Sequence, residues 1–464
     1  MKTKIILSWN FVKHIWHMIE RKIDTFLKEW KEDSNKKPLI VKGARQIGKT
    51  FSIMQFATSS YKYVVNINFA LQEKFKTIFN DGFDVDSIIN NITLLSPSIK
   101  IEAGNTLIFF DELQACPNCA TSLKSFAIDG RYDVICSGSL MGINYHEIES
   151  NSVGYKTDYE MHSLDFEEFL WAKGYSKEQV ESIYSHLKDG IAFSSTELEV
   201  WFDCFKEYMI VGGMPEIVQK FVSQKNYSGI LEMQKQLLLD YEEDITKYAF
   251  GLDKGKIKNV YNNISVFLAK DNKKYQISKI SRNARNRDYI GTTEWLADAG
   301  IISPCYCLET LELPLKGNYN PQNYKLYYKE TSLLIASMEE EAQEDLRANK
   351  NFNTYKGAIY ENIVADALTK QGYSLYFYKN EKSTVEMDFF IRDTDSLIPI
   401  EVKAKDNPTP SLNKLIENEN INYGIKLCYK NFGFNGKFYT IPYFAVFCLK
   451  RWIKEKTQIN PHHP

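Results

Sequence analysis

What the chain lacks narrows its identity before any motif does. No apolar run approaches the roughly 18 residues that a membrane-spanning helix requires, and Ile5-Ile6-Leu7-Ser8-Trp9 is too short for the apolar part of a signal peptide. A cytoplasmic protein with no membrane partner is expected. Eight cysteines scattered over 464 residues are too few for a disulfide scaffold and are read as reduced thiols. Cys116-Pro-Asn-Cys119 and Cys305-Tyr-Cys307 do not add up to a four-thiolate zinc site, because the second spacing is wrong and the separation is very large. An excess of either charge is missing too: 57 Lys and Arg face 59 Asp and Glu, a net of −2. No global attraction for polyanions follows, so any nucleic-acid contact needs a local patch. Repeats and low-complexity tracts are absent. With 44% hydrophobic residues, the chain has material for about two to four domains.

The strongest signal that is present is Gly43-Ala44-Arg45-Gln46-Ile47-Gly48-Lys49-Thr50, a Gly-x4-Gly-Lys-Thr phosphate-binding loop. Pro38 to Val41 reads as the strand feeding it, and Thr50 to Ala57 as the helix leaving it. The loop's backbone N–H groups would cradle phosphates at a helix N-terminus, Lys49 would neutralise the β/γ oxygens, and the Thr50 hydroxyl would ligate Mg2+. Downstream, Thr106-Leu107-Ile108-Phe109-Phe110 is an apolar strand ending in Asp111-Glu112. Its carboxylates emerge where parallel sheets bind ligands, outside the C-terminal strand ends. Asp111 would hold Mg2+ through water, and Glu112 would orient or deprotonate the attacking water; a plain helix cap is the other reading. The strand Tyr132 to Cys136 leads to Ser137-Gly138-Ser139, where Ser139 suits a γ-phosphate sensor or an ordinary turn. No Asn-Lys-x-Asp guanine-reading motif occurs, which favours ATP.

Together these motifs resemble the AAA-type ATPases of the STAND-related group, which carry a Phe-Glu-Glu-Phe-Leu segment, here Phe166 to Leu170 after Leu164-Asp165, and a Gly-x-Pro turn, here Gly213-Met214-Pro215. The resemblance implies that Gly213 and Pro215 lie near the adenine; an interhelical turn explains the same residue types. One departure stands out. Ring-forming relatives place an arginine finger before the last strand, read here as Tyr159 to Leu164, where this chain has Gly154-Tyr155-Lys156, and Arg131 is the only arginine between Arg45 and Arg282. An oligomer stays open but gains no support from a finger.

Further along, Trp201 to Lys220 and Ile230 to Phe250 read as a helical lid. From Lys254 to Ile290 ten Lys and Arg meet two Asp, a local net of +8. Helices over Ile257 to Ala269, Gln276 to Ser281 and Asp288 to Ala299, then strands within Ile301 to Leu315, suggest a winged helix. Arg282, Arg285 and Arg287 would meet DNA phosphates; a domain connector is the alternative. Finally, Glu361 on a helix, Asp388 on one strand and Glu401-Val402-Lys403 on the next resemble the PD-(D/E)XK nuclease fold. That resemblance implies metal ligation by Glu361, Asp388 and Glu401 and water activation by Lys403.

The expected fold is therefore α/β: a P-loop AAA-type parallel sheet with a helical lid, then a winged helix and a PD-(D/E)XK-like α/β domain. Expected boundaries are residues 1–35 for a helical extension, 36–165 for the ATPase core, 166–252 for the lid, 253–348 for the winged helix, 349–455 for the nuclease-like domain and 456–464 for a tail. The expected function is a Mg2+-dependent ATPase whose nucleotide state is coupled to DNA-facing domains. An ATP-gated nuclease and a nucleotide switch with negligible turnover are the rivals.

Overall fold

The computed structural model describes residues 19–140, 152–249, 251–268, 275, 289, 291–338, 342–348, 354–380, 384–404 and 407–459. It divides into two compact units, Met1–Ser163 and Leu164–Pro464. Among the described residues, no helix is long and apolar enough to cross a membrane. All eight cysteines are free and buried.

In the first unit, α1 (Lys22–Glu32) buries Ile23, Leu27 and Trp30, which recur at helical spacing on one face. The following elements are β1 (Leu39–Gly43), α2 (Lys49–Ser60), β2 (Tyr63–Asn68), α3 (Val85–Leu95), β3 (Thr106–Asp111), α4 (Pro117–Asp129), β4 (Asp133–Ser139) and β5 (Thr157–Glu160). The five strands form a parallel sheet in the order β2-β3-β4-β1-β5. Every residue of β3 is buried, as a parallel strand covered on both faces requires. Ile67, Phe69, Phe79, Phe110 and Phe126 fill the core on one side of it. The β1–loop–α2 order matches the sequence reading. Two ends differ: β4 continues three residues past Cys136 to Ser139, and the last strand is Thr157–Glu160 rather than Tyr159 to Leu164.

The second unit begins with helices α5 (Phe166–Ala172), α6 (Lys177–Asp189), α7 (Ser195–Val211), α8 (Pro215–Gln224), α9 (Ile230–Tyr248), α10 (Lys254–Asn262), α11 (Ile264–Leu268) and α12 (Thr292–Asp298). The lid helix expected over Trp201 to Lys220 is broken into α7 and α8 at Gly212, whose φ of 78° lies in the left-handed region, with Pro215 opening α8 at a position where it has no N–H to lose. Then come β6 (Ile302–Leu308), β7 (Tyr319–Tyr328), α13 (Thr331–Ala336), α14 (Ala342–Arg347), α15 (Thr354–Lys370), β8 (Leu375–Lys379), β9 (Glu386–Arg392), β10 (Leu397–Val402), α16 (Pro410–Leu415), β11 (Gly424–Cys428), β12 (Gly433–Phe434), β13 (Phe438–Pro442) and α17 (Leu449–Ile459). The strands form one mixed sheet, β12-β13-β11-β10-β9-β8-β6-β7.

That sheet corrects the expected domain plan. The strand read as part of a wing, β6, pairs in parallel with β8 and antiparallel with β7, so the boundary expected between residues 348 and 349 falls inside a single sheet. The physical reason is burial: Ile302, Ser303, Cys305, Cys307 and Leu308 are all buried, as in an interior strand and unlike an exposed wing. The tail expected from residue 456 starts inside α17. The expected helix Gln276 to Ser281 falls outside the described residues.

Candidate functional site

The loop between β1 and α2 has the geometry its glycines suggested. Gly48 caps α2 with φ 91° and ψ 17°, and Gln46 also takes a left-handed φ of 61°. At Gly43 a Cβ atom would strike the Met161 carbonyl oxygen and the Ile47 side chain, so only glycine fits. Arg21 holds the loop from behind: it is 6% exposed, and its guanidinium donates to the Ile47 carbonyl at 3.0 Å and the His162 carbonyl at 2.7 Å. The segment expected to be an extension therefore contributes to the loop's support.

Lys49 opens α2, and its Nζ donates to the carbonyls of Gly43 at 3.0 Å and Ala44 at 2.6 Å. Burial pulls its pKa down to about 8 against the opposing charges of Glu112 and Asp111, with the nearby Arg45 adding to the drop. The Thr50 hydroxyl donates to Asp111 Oδ1 at 3.3 Å and Oδ2 at 3.2 Å. Asn68 Nδ2 donates to Asp111 Oδ2 at 3.0 Å, the Glu112 N–H to Oδ1 at 3.1 Å, and the Ser137 hydroxyl also donates to Oδ1. Asp111, 5% exposed, is thus solvated by neutral groups from the ends of α2, β2 and β4.

Glu112 sits in the left-handed region at φ 60° and ψ 52°, strained for a residue with a Cβ. Its Oε2 accepts from Gln114 Nε2, while Gln114 Oε1 is buried with no hydrogen-bond partner. Ser139, opposite Gly43 in the β1/β4 register, has a buried hydroxyl that likewise lacks a partner. The loop, Lys49, Thr50, Asp111, Glu112 and Ser139 lie together at the C-terminal ends of β1, β3 and β4. Arg21, Asn68 and Gln114 were not anticipated, and Ser137, read with Ser139 as a hydroxyl suited to sensing phosphate, instead donates to Asp111. Asn68 was the most accessible of them, since it ends the strand beside β3 and is the register partner of Asp111.

Gly213 and Pro215 lie in the second unit. A Cβ at Gly213 would strike the Leu164 backbone, the Leu164 N–H donates to the Gly213 carbonyl at 2.7 Å, and the Gly213 N–H donates to Glu330 Oε1 at 3.0 Å. These contacts account for the turn by packing. Arg282, Arg285 and Arg287 lie outside the described residues.

The nuclease-like quartet is only partly assembled. Asp388 Oδ2 accepts from the Val402 N–H at 2.8 Å, and Lys403 Nζ lies 2.7 Å from Glu401 Oε1. Burial raises the Glu401 pKa against the charges of Lys403 and Lys426, and Glu401 Oε2 is buried with no hydrogen-bond partner. Glu361 instead meets Tyr327, whose hydroxyl donates to Oε2 at 3.1 Å, and Lys325, whose Nζ lies 4.0 Å from the same oxygen. Among the described residues no three His, Cys, Asp or Glu side chains are grouped to hold a metal ion, and Glu361, Asp388 and Glu401 each meet protein donors. Lys325 lies between Glu361 and Glu386, and its clue in the sequence was a lysine in the aromatic strand Tyr324 to Tyr328.

Comparison with known families agrees with the first unit. Residues 35–170 match an AAA domain, 203–344 a domain of unknown function (DUF8612), and 356–444 another (DUF4143). Among solved structures, a Walker-type ATPase of Pyrococcus abyssi is 13% identical at a TM-score of 0.41, over 69% of this chain and 96% of that one. The Aeropyrum pernix Orc1 protein in complex with DNA is 11% identical at 0.29, over 72% and 91%. The Thermotoga maritima RuvB Holliday junction branch migration motor is 12% identical at 0.31, over 71% and 95%. These scores are too low to bear on function. No curated protein matches the chain. The first unit carries an AAA-type P-loop domain.

Proposed function

We propose that this chain is a Mg2+-dependent ATPase whose nucleotide state controls its second unit. The observation that carries the reading is Asp111: a buried carboxylate held by Thr50, Asn68, Ser137 and the Glu112 N–H, with no lysine bonded to it, at the C-terminal ends of parallel strands beside a phosphate loop. Such a carboxylate keeps its charge available for a cation. Thr50 and Asp111 would hold Mg2+, which when bound supplies charge neutralisation to phosphate oxygens. The loop amides and Lys49 bind the phosphates, Ser139 offers its unpartnered hydroxyl to the terminal phosphate, and Glu112 orients water.

Gly213 and Pro215 as adenine contacts, and Arg282, Arg285 and Arg287 as DNA contacts, extend this reading. Fluorescent-ATP binding by the full chain should be lost in Lys49→Ala, and duplex affinity should change when ATP is added. Unchanged duplex affinity with and without ATP would sink the coupling to DNA while leaving nucleotide binding to be judged on its own.

A switch with little turnover is the second reading, favoured by two observations. Gln114 ties up the Glu112 carboxylate, and Arg131 is engaged by Asp129 and Asp86, each at 2.7 Å, so it is not poised as a finger.

A further inference from the structure

We infer that the carboxylate cluster beside α15 in the second unit is a closed ion-pair core in which Lys325 stands where a divalent cation would otherwise be needed. Lys325 projects from β7 and is 1% exposed. Its ammonium lies 3.2 Å from Glu386 Oε1 and 4.0 Å from Glu361 Oε2, and 4.7 Å from the centre of the Phe377 ring. The neighbouring acceptors are also engaged. Lys379 Nζ donates to Glu386 Oε2 at 2.9 Å, Tyr327 to Glu361 Oε2, and the Val402 N–H to Asp388 Oδ2.

Two physical arguments exclude a resident Mg2+ or Mn2+. A divalent ion needs about six oxygen ligands and retains waters, whereas the oxygens of buried Glu361 and half-buried Glu386 and Asp388 are already shared with ammonium, hydroxyl and amide donors. The buried Lys325 ammonium, already paired with Glu361 and Glu386, would also repel it. Glu401 stands apart with Lys403. Lys325 and Lys379 match the charges of Glu361 and Glu386, and this region holds its shape without metal; it is a binding or structural module and not a metal-dependent nuclease.

The test is Mn2+ binding to the nucleotide-free full-length chain, followed by electron paramagnetic resonance of the free ion. Wild type, Asp388→Asn and Glu401→Gln should titrate identically. Lys325→Ser, which takes the ammonium from Glu361 and Glu386, should bind one additional Mn2+, and adding Glu361→Gln should remove it. A wild-type site lost in Asp388→Asn or Glu401→Gln would overturn the inference, as would a folded Lys325→Ser chain that gains no site. Should Lys325→Ser fail to fold, the comparison of wild type with the two carboxylate variants still decides, because their side chains are nearly isosteric.

Discussion

Asp111 in the first unit and the pair Glu361 and Glu386 in the second have partners that differ in kind. Asp111 is bonded by two hydroxyls, an amide side chain and a backbone N–H, all neutral. Glu361 and Glu386 are met by the ammonium of Lys325, and Glu386 by Lys379 as well. Neutral donors hold a carboxylate in place and leave its charge uncompensated; ammonium groups compensate it. Position alone therefore does not identify a metal ligand. In the proposed function Asp111 receives a divalent cation beside Lys49, whereas Glu361 and Glu386 are already paired with Lys325.

The largest expected effect that breaks this contrast is on stability. Lys325→Met removes the cation from the buried Glu361 carboxylate, which should lower unfolding free energy by about 3–5 kcal/mol in a urea titration. A loss below about 1 kcal/mol, the scale of an exposed pair, would mean the cluster is not an ion-pair core. Asn68→Ala deprives Asp111 of one neutral donor and should cost about 1–3 kcal/mol in stability by the same titration. It should also change the Mg2+ concentration needed for turnover, whereas Lys325→Met should not.

Much of the first unit was legible because its signals are local. Gly43 to Thr50 is contiguous, β1 directly precedes it, and β3 ends in its carboxylates. The groups that hold Asp111 were not legible, because Asn68 and Ser137 come from neighbouring strands and meet it only once parallel register is set. The wing failed for a related reason. β6 finds its parallel partner β8 across β7 and α15, with Cys305 opposite Leu375, and alternation within β6 says nothing about so distant a neighbour. Glu401 and Lys403 were correctly placed on one face, because strand alternation is local. Lys325 needed the packing of α15 against β7 to reveal its partners.

Smaller effects sharpen the account of the first unit. Ser139→Ala removes a hydroxyl with no partner within the chain, so folding should be nearly unaffected while turnover falls about tenfold, the loss of one hydrogen bond of about 1.4 kcal/mol. Equal loss of stability and turnover would make Ser139 structural.

The pH dependence follows from Lys49, whose folded pKa of about 8 lies below its ordinary 10.5. Between those values the unfolded chain binds more protons than the folded one, so Lys49 contributes stability that rises with pH across that window. ATP binding needs the ammonium and runs the other way: affinity in a fluorescent-ATP titration should decline as pH rises through about 8. A flat profile to pH 9.5 or so would contradict the shifted lysine.

The most direct measurement of the central claim is phosphate release from ATP with Mg2+ by wild type and Glu112→Gln, with nucleotide binding followed in parallel. The account predicts turnover in wild type, a fall of about 10²-fold or more in the variant, and retained ATP binding in both. Binding without turnover in wild type would contradict the ATPase and establish the switch.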